Sequence, residues 1–118
     1  MIFRSIALGL CLTAVASAAF AQEARRGYII QLAGDPAASY NGGVAGLQAT
    51  RPAAGQRFNV NAAHVQAYMA YLDSKASAVA AQAVVPAAQI YARYGISFNG
   101  FAAQLTDAEL RKLDSTPG

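Results

Sequence analysis

The chain has no tryptophan, and it has only one cysteine and one histidine among its 118 residues. It therefore cannot form an internal disulfide, and it cannot build a His/Cys metal site from its own residues. A chain this short holds at most one modest domain besides a targeting segment, which excludes a multidomain enzyme. We expect no metal or other cofactor, and a role in binding, in folding assistance or in structure.

Charged residues are also scarce, at 13% of the chain, and the formal net charge is +3. Nucleic-acid binding requires a stripe of cations that neutralises phosphates, and no segment of the sequence gathers Lys and Arg in this way. Nucleic acid is therefore not an expected partner. Catalysis is not expected either, because His64, the only histidine, has no Ser or Cys near it in sequence.

The first 21 residues have the three-part layout of a secretory signal. A single cation is followed by an apolar stretch, and the small residues Ala19 and Ala21 predict cleavage after Ala21. We expect a secreted or periplasmic protein that keeps no membrane anchor; an uncleaved anchor is the alternative. The exported part would contain no cysteine, so its apolar core alone would have to stabilise it.

The exported part begins with a predicted strand and then becomes irregular. Residues 28–32 are β-branched or aromatic in the main, which favours a strand. Residues 37–59 contain several glycines and few residues that could be buried, and they predict a flexible loop. From Asn61 to about Ala83 an apolar residue recurs every three or four positions, which predicts a long helix with Asn61 as its N-cap.

Two more strands are predicted at residues 89–94 and 100–105. The apolar positions before and after Asn99 are out of phase, so the backbone must reverse or bulge between the two strands. A hairpin satisfies this requirement. Its turn is either the tight pair Asn99 and Gly100 or a looser turn that starts at Gly95.

The last predicted element is a short helix that starts with a capping box. In this motif the Thr106 hydroxyl accepts from the Glu109 backbone, and the Glu109 carboxylate accepts from the Thr106 backbone. The element order is then β-α-β-β-α, a ferredoxin-like split βαββαβ fold that lacks its fourth strand. We expect an α+β sandwich in which an antiparallel sheet has both helices on one face. The strand at residues 28–32 would be an exposed edge.

Several of these features occur together in one known family. They are the strand at residues 28–32, a helix that opens with His64, the tyrosines Tyr91 and Tyr94, and the segment at residues 98–110. Through them residues 27–118 resemble the peptidase inhibitor I9 family, the N-terminal prodomains of subtilisin-like serine proteases. The most specific part is a motif of five residues, namely Phe98, Asn99, Gly100, Phe101 and Leu105.

The resemblance implies a domain organisation and a function. It divides the chain into a signal peptide at residues 1–21, a short linker at residues 22–27 and a prodomain at residues 28–118 that is incomplete at its C-terminus. Prodomains of this family are intramolecular chaperones and temporary inhibitors, so the implied partner is a cognate catalytic domain in cis. The chain itself would have no catalytic residues. A stand-alone I9-type inhibitor and an exported structural or adhesion module are the alternatives.

In this family the open face of the sheet packs on the protease. Alternation along the strands predicts which side chains point away from the helices, provided that Ile30, Ala92 and Ala103 point towards them. The predicted protease-facing residues are Ile29, Gln31, Tyr91, Arg93, Ala102 and Gln104.

Overall fold

The computed structural model describes residues 23–118, so the predicted signal peptide, with its cleavage residues Ala19 and Ala21, lies outside the described residues. Within residues 23–118 there are three strands, two α-helices and a 3-10 turn at Ala87–Gln89. The strands are β1 (Arg26–Gln31), β2 (Ile90–Tyr94) and β3 (Gly100–Leu105), and the helices are α1 (Ala63–Gln82) and α2 (Asp107–Asp114). Neither helix is both long enough and apolar enough to cross a membrane.

The strands form one antiparallel sheet in the order β1-β3-β2, so β3 is central. Side chains of α1 and α2 pack against the same face of this sheet, which confirms the α+β sandwich. In the part of the chain that the structure describes, no strand pairs with the other side of β1. The edge at which the split βαββαβ fold places its fourth strand is therefore open.

The start of α1 differs from the prediction. The helix begins at Ala63, and its N-cap is Ala62, whose side chain makes no capping hydrogen bond. The prediction that Asn61 is the N-cap is wrong. The backbone N–H of Asn61 instead donates to the Oδ1 atom of Asn59 at 3.0 Å, in a turn that precedes the helix.

The end of α1 has a backbone conformation that usually belongs to glycine. Val84 has a φ of 58°, and a β-branched side chain is strained in this left-handed region. The flanking N–H groups of Ala83 and Val85 donate to the carbonyl oxygens of Val79 and Ala80. These bonds end the helix and turn the chain towards β2.

The structure supports the looser of the two predicted hairpin turns, because β3 already begins at Gly100 and residues 95–99 connect it to β2. Gly95 in this turn lies against α1, where an added Cβ would be 2.9 Å from the Cε atom of Met69. At the other end of β3, the capping box of α2 is confirmed, with both of its hydrogen bonds between Thr106 and Glu109 at 3.2 Å.

The main core lies between the sheet and the two helices. α1 contributes only small side chains to its buried part, namely Ala76 and Ala80, followed by Ala83 just after the helix. The bulk comes instead from the sheet, above all from Phe101, which is fully buried. This half of α1 therefore contributes a shallow contact face to the core.

A second core covers the other half of α1, and a few buried residues of the irregular segment at residues 37–59 contribute to it. As predicted, this segment has no helix or strand, and among its residues only Ala37, Tyr40 and Thr50 are buried. Tyr40 is buried, and its ring stacks on Tyr68 of α1 with the centroids 3.8 Å apart. The Tyr40 hydroxyl accepts from the N–H of Val44 at 2.9 Å and donates to the carbonyl of Leu47 at 3.1 Å. One buried side chain thus fixes several turns of irregular backbone.

Candidate docking surface

Strand pairing determines which side chains share the uncovered face of the sheet. Ile29 is opposite Ala102, and Ala102 is opposite Ala92, so these three residues form a row across the sheet. Ile30 and Phe101 are also opposite each other, and their side chains pack in the core with the helices. Since successive side chains alternate between faces, the row that contains Ile29 lies on the face away from the helices. We call this face the outer face.

The outer face is exposed and mostly apolar. Ile29, Tyr91 and Tyr94 are 68%, 60% and 42% exposed, whereas Ala102 in the central strand is almost covered by its neighbours. From the register, the outer face consists of Gly27, Ile29 and Gln31 of β1, Tyr91, Ala92 and Tyr94 of β2, and Gly100, Ala102 and Gln104 of β3.

Tyr91 lies across the middle of this face. Its own strand is at one edge of the sheet, yet its hydroxyl would be 3.3 Å from a Cβ added to Gly27 at the opposite edge. The Nε2 atom of Gln104, on the central strand, would be 3.5 Å from the same Cβ. The ring therefore crosses the central strand, and the glycine leaves room for its hydroxyl.

A bulge in β2 overturns the predicted outward orientation of Arg93. The register shifts between Ile90 and Ala92, so the residues after the bulge alternate in the opposite phase. Arg93 is opposite Phe101, on the helix side, and its Nη1 atom donates to the Oδ1 atom of Asp73 in α1 at 2.9 Å. The orientation predicted for Arg93 is wrong because strict alternation does not allow for the extra residue.

The same bulge explains which outer-face residues sequence reasoning missed. Strict alternation predicts Ala92 on the helix side, but the register places it opposite Ala102 on the outer face, with Tyr94 two residues further along. No glycine or proline marks the bulge within β2. The one usable signal is the positive charge of Arg93, because a carboxylate is available to it only on the helix side.

The motif residue Asn99 ties the β2–β3 turn to the end of β1. Its Nδ2 atom donates to the carbonyl oxygens of Ala33 at 2.8 Å and Gly34 at 3.2 Å. Its own carbonyl oxygen accepts from the N–H of Leu32 at 2.9 Å. Asn99 is buried, so these bonds are made away from water, where an unpaired amide would be costly.

The other motif residues hold β3 in place. Phe101 and Leu105 are buried in the main core. Gly100 has no room for a side chain, because an added Cβ would overlap the carbonyl oxygen of Ile30 on β1 and lie 2.7 Å from the ring of Phe98. The motif thus positions the central strand, and its Phe98 also packs edge-on against Tyr94 of the outer face, with the ring centroids 6.0 Å apart.

The free edge of β1 opens into a groove of about 530 Å³ between this strand and α2. Its apolar lining includes Ile30, Leu110 and Leu113. Just beyond the end of β1, the N–H of Ala33 donates to the carbonyl oxygen of Gly118 at 2.7 Å. This bond brings the last residue of the chain to the line along which a strand would pair with β1.

In both ion pairs of residues 23–118 the carboxylate belongs to a helix, although Arg25 also donates to the backbone carbonyl of Gln104, an outer-face residue, at 3.1 Å. Arg93 binds Asp73, and Arg25 forms a two-bond pair with the carboxylate of Glu109, at 2.8 and 3.0 Å. His64 is exposed at the start of α1. The described residues contain no group of three or more His, Cys, Asp or Glu side chains arranged to bind a metal ion. The arrangement is suited to binding by shape and apolar contact, and it offers no set of groups for catalysis.

Comparison with known proteins gave one match. The family model described as peptidase inhibitor I9 matches residues 27–118, which include the whole sheet and both helices. No curated protein and no solved structure matched the chain.

Proposed function

Because the chain belongs to the peptidase inhibitor I9 family, we propose that it is the prodomain of a subtilisin-like protease translated as part of the same precursor. Domains of this family are the inhibitory prodomains of such proteases, bind them and are not themselves catalytic. We propose that this chain assists the folding of the catalytic domain and inhibits it until the prodomain is removed. The N-terminal sequence supports export, which would place both in the periplasm or outside the cell.

The observation that carries this proposal is the outer face. It is a three-stranded sheet surface with exposed aliphatic and aromatic side chains, and no element of residues 23–118 covers it. Exposed apolar surface of this kind is typical of a protein-binding site. A folded partner that covers it would stabilise the domain by mass action, and the domain would in turn present a preformed surface to a folding protease.

The open edge of β1 supports a fourth strand in the precursor. We propose that chain beyond Gly118 continues along β1 as a fourth strand and closes the groove next to α2. The bond from Ala33 to Gly118 favours this path, since it gives an antiparallel strand its first hydrogen bond on that edge. The segment after this strand would then reach the substrate cleft of the protease.

Assisted refolding tests the proposed function. A purified subtilisin catalytic domain is denatured in guanidinium chloride and diluted into buffer with or without the chain, and recovered hydrolysis of a chromogenic peptide is measured. We expect the chain to increase the recovered activity, whereas a Gly100→Ala chain, in which β1 and β3 cannot pair, does not. Equal recovery with and without the folded chain would contradict a chaperone role.

Reading the gene beyond Gly118 tests the linkage separately. An Asp, His and Ser set in subtilisin-like sequence context supports the precursor. A fourth strand and tail with no catalytic domain after them would favour the stand-alone I9 inhibitor.

A further inference from the structure

The outer face has no ionisable group other than tyrosine. Its side chains are aliphatic, phenolic or carboxamide, and the remaining residues are Gly27 and Gly100. Charged residues do occur close by in the described part of the chain, with cations in both strands that border β3. The neutrality of this face therefore comes from where the strands direct their charged residues.

Each cation near this face is held elsewhere. Arg93 is turned by the β2 bulge onto α1, where it binds Asp73 at 2.9 Å and Ser77 at 3.1 Å. Arg26 is opposite Leu105 and so shares the helix side of the sheet. Arg25 is bound to the carboxylate of Glu109.

The bulge also adds apolar surface to the outer face. Without it, Ala92 would point to the helices and Arg93 to the outside. With it, Tyr91 and Ala92 both contribute to the outer face, and Tyr94 extends it to the end of β2. Because of this one extra residue, the outer face carries hydrophobic area in place of a guanidinium group.

From this neutrality we infer that the protease surface covered by the outer face is itself uncharged, so that docking depends on apolar burial and hardly at all on salt. The inference rests on the proposed function and specifies its partner surface. A charged group on the partner would lose its hydration against aliphatic and aromatic side chains with no opposite charge to replace it. A neutral surface loses no hydration of a charge, and burying Ile29, Tyr91 and Tyr94 against it contributes favourable free energy to binding.

Binding measured at two salt concentrations tests the inference. The probe is a purified subtilisin whose catalytic serine has been blocked with phenylmethylsulfonyl fluoride, and Kd is measured by calorimetry in about 0.1 M and about 1 M NaCl, between which the screening length falls from roughly 10 Å to roughly 3 Å. We expect the two values of Kd to agree within about threefold, because no charge pair forms at the contact. A weakening of more than about tenfold at high salt would overturn the inference.

Charge insertion at Ile29 gives an independent test. Ile29→Lys and Ile29→Glu should both weaken binding by about tenfold or more relative to the neutral Ile29→Met, since either sign would be buried without a partner. Val84, 67% exposed and outside the sheet, supplies the matched control, because Val84→Lys should bind like the wild type. Tighter binding by one of the two charged Ile29 variants would reveal a partner charge of the opposite sign and overturn the inference. If the folded wild-type chain does not bind the blocked subtilisin at either salt concentration, the proposed function itself fails.

Discussion

The two halves of α1 are covered in different ways. The first half presents Val65, Tyr68 and Leu72 to the irregular segment before the helix, and all three are buried. The second half presents Ala76 and Ala80 to the sheet. We call the first contact the loop half and the second the sheet half. Among the residues that α1 itself contributes, the larger buried side chains therefore belong to the loop half.

The two halves also differ in how completely they are closed. In the loop half, Tyr40 stacks on Tyr68, and both hydroxyls are hydrogen-bonded. Each half keeps a groove, of about 530 Å³ beside β1 in the sheet half and of about 630 Å³ beside Tyr40, Tyr68 and Leu72 in the loop half. The sheet half differs in that the edge of β1 is also unpaired among the described residues. The loop half can stabilise the domain before docking, whereas the sheet half has two uncovered surfaces, namely the outer face and the free edge of β1.

Gly100→Ala should have the largest effect, because it breaks the sheet half at its central strand. The added Cβ would overlap the carbonyl oxygen of Ile30, so β3 and β1 would have to move apart. We expect a loss of more than about 5 kcal/mol, which equals the whole stability of many domains and would abolish the cooperative urea transition. Circular dichroism during urea titration measures this.

Gly27→Ala is the matched control for that variant. It adds the same methyl group to the strand that pairs with β3, but the nearest atom would be the Tyr91 hydroxyl, at the far end of a side chain, 3.3 Å away. We expect a change of less than about 1 kcal/mol. Similar losses in the two variants would contradict the view that the contact between Gly100 and Ile30 determines the effect.

Tyr40→Ala should be the most damaging single change to the loop half. It removes a buried ring that stacks on Tyr68 at 3.8 Å, together with the hydrogen bonds to Val44 and Leu47. We expect a loss of about 3 to 5 kcal/mol, comparable to other deletions of large buried aromatic side chains. Tyr40→Phe keeps the stacking and should lose only about 1 to 2 kcal/mol. If both substitutions have little effect on urea unfolding, the loop half does not stabilise the domain.

The loop half should also make stability sensitive to alkaline pH. Burial raises the pKa of Tyr68 to about 12, and the neighbouring Tyr40, Asp35 and Tyr71 act in the same direction. The folded chain therefore holds the Tyr68 proton more tightly than the unfolded chain, whose tyrosine titrates at its ordinary pKa of 10.0. The stability that this provides is complete below pH 10 and is lost as the pH rises towards 12.

Tyr68→Phe tests this pH dependence. The variant loses the hydrogen bond to the carbonyl of Asp35, worth about 1 kcal/mol at neutral pH. Its free energy of unfolding should then fall less steeply than that of the wild type above pH 10, because the raised pKa is gone. Tyr91→Phe makes the same chemical change on the outer face and should keep the wild-type slope of unfolding free energy against pH. Parallel slopes for the wild type and Tyr68→Phe would refute a role of this proton in stability.

The parts of the fold that could be predicted from sequence are those fixed by local signals. Thr106 and Glu109 are three residues apart, and their side chains and backbone complete the capping box without help from the rest of the chain. The bounds of β3 were predictable for the same reason, since a glycine starts it and the capping threonine ends it. The apolar stripe of α1 was likewise visible, because its 3.6-residue period is a property of the helix itself.

The remaining features depend on contacts between distant residues. Tyr40 and Tyr68 are far apart in sequence and are buried in one cluster with other residues of the loop and of α1, so neither predicts an ordered loop half when considered alone. The β2 bulge is selected by packing and by the pair between Arg93 and Asp73 in a different element. The outer face was therefore predicted to carry the charge of Arg93, which it does not carry, although its place in the fold was largely predictable.

The smallest expected effect is a gain, and it comes from the beginning of the loop half. The N-cap of α1, Ala62, has φ −64° and ψ 139°, a backbone suited to this position, but no side chain caps the first turn and no acidic residue lies in it. Ala62→Ser supplies an acceptor for a free N–H group, so we expect a gain of about 0.5 to 1 kcal/mol in the free energy of unfolding. Ala78→Ser makes the same chemical change in the exposed middle of α1 and should instead cost a few tenths of a kcal/mol, roughly, because serine is a poorer helix former than alanine. Opposite signs in matched urea titrations are the decisive outcome. Equal losses in both variants would mean that contacts in the loop half hold the start of α1 in a geometry that a cap cannot improve.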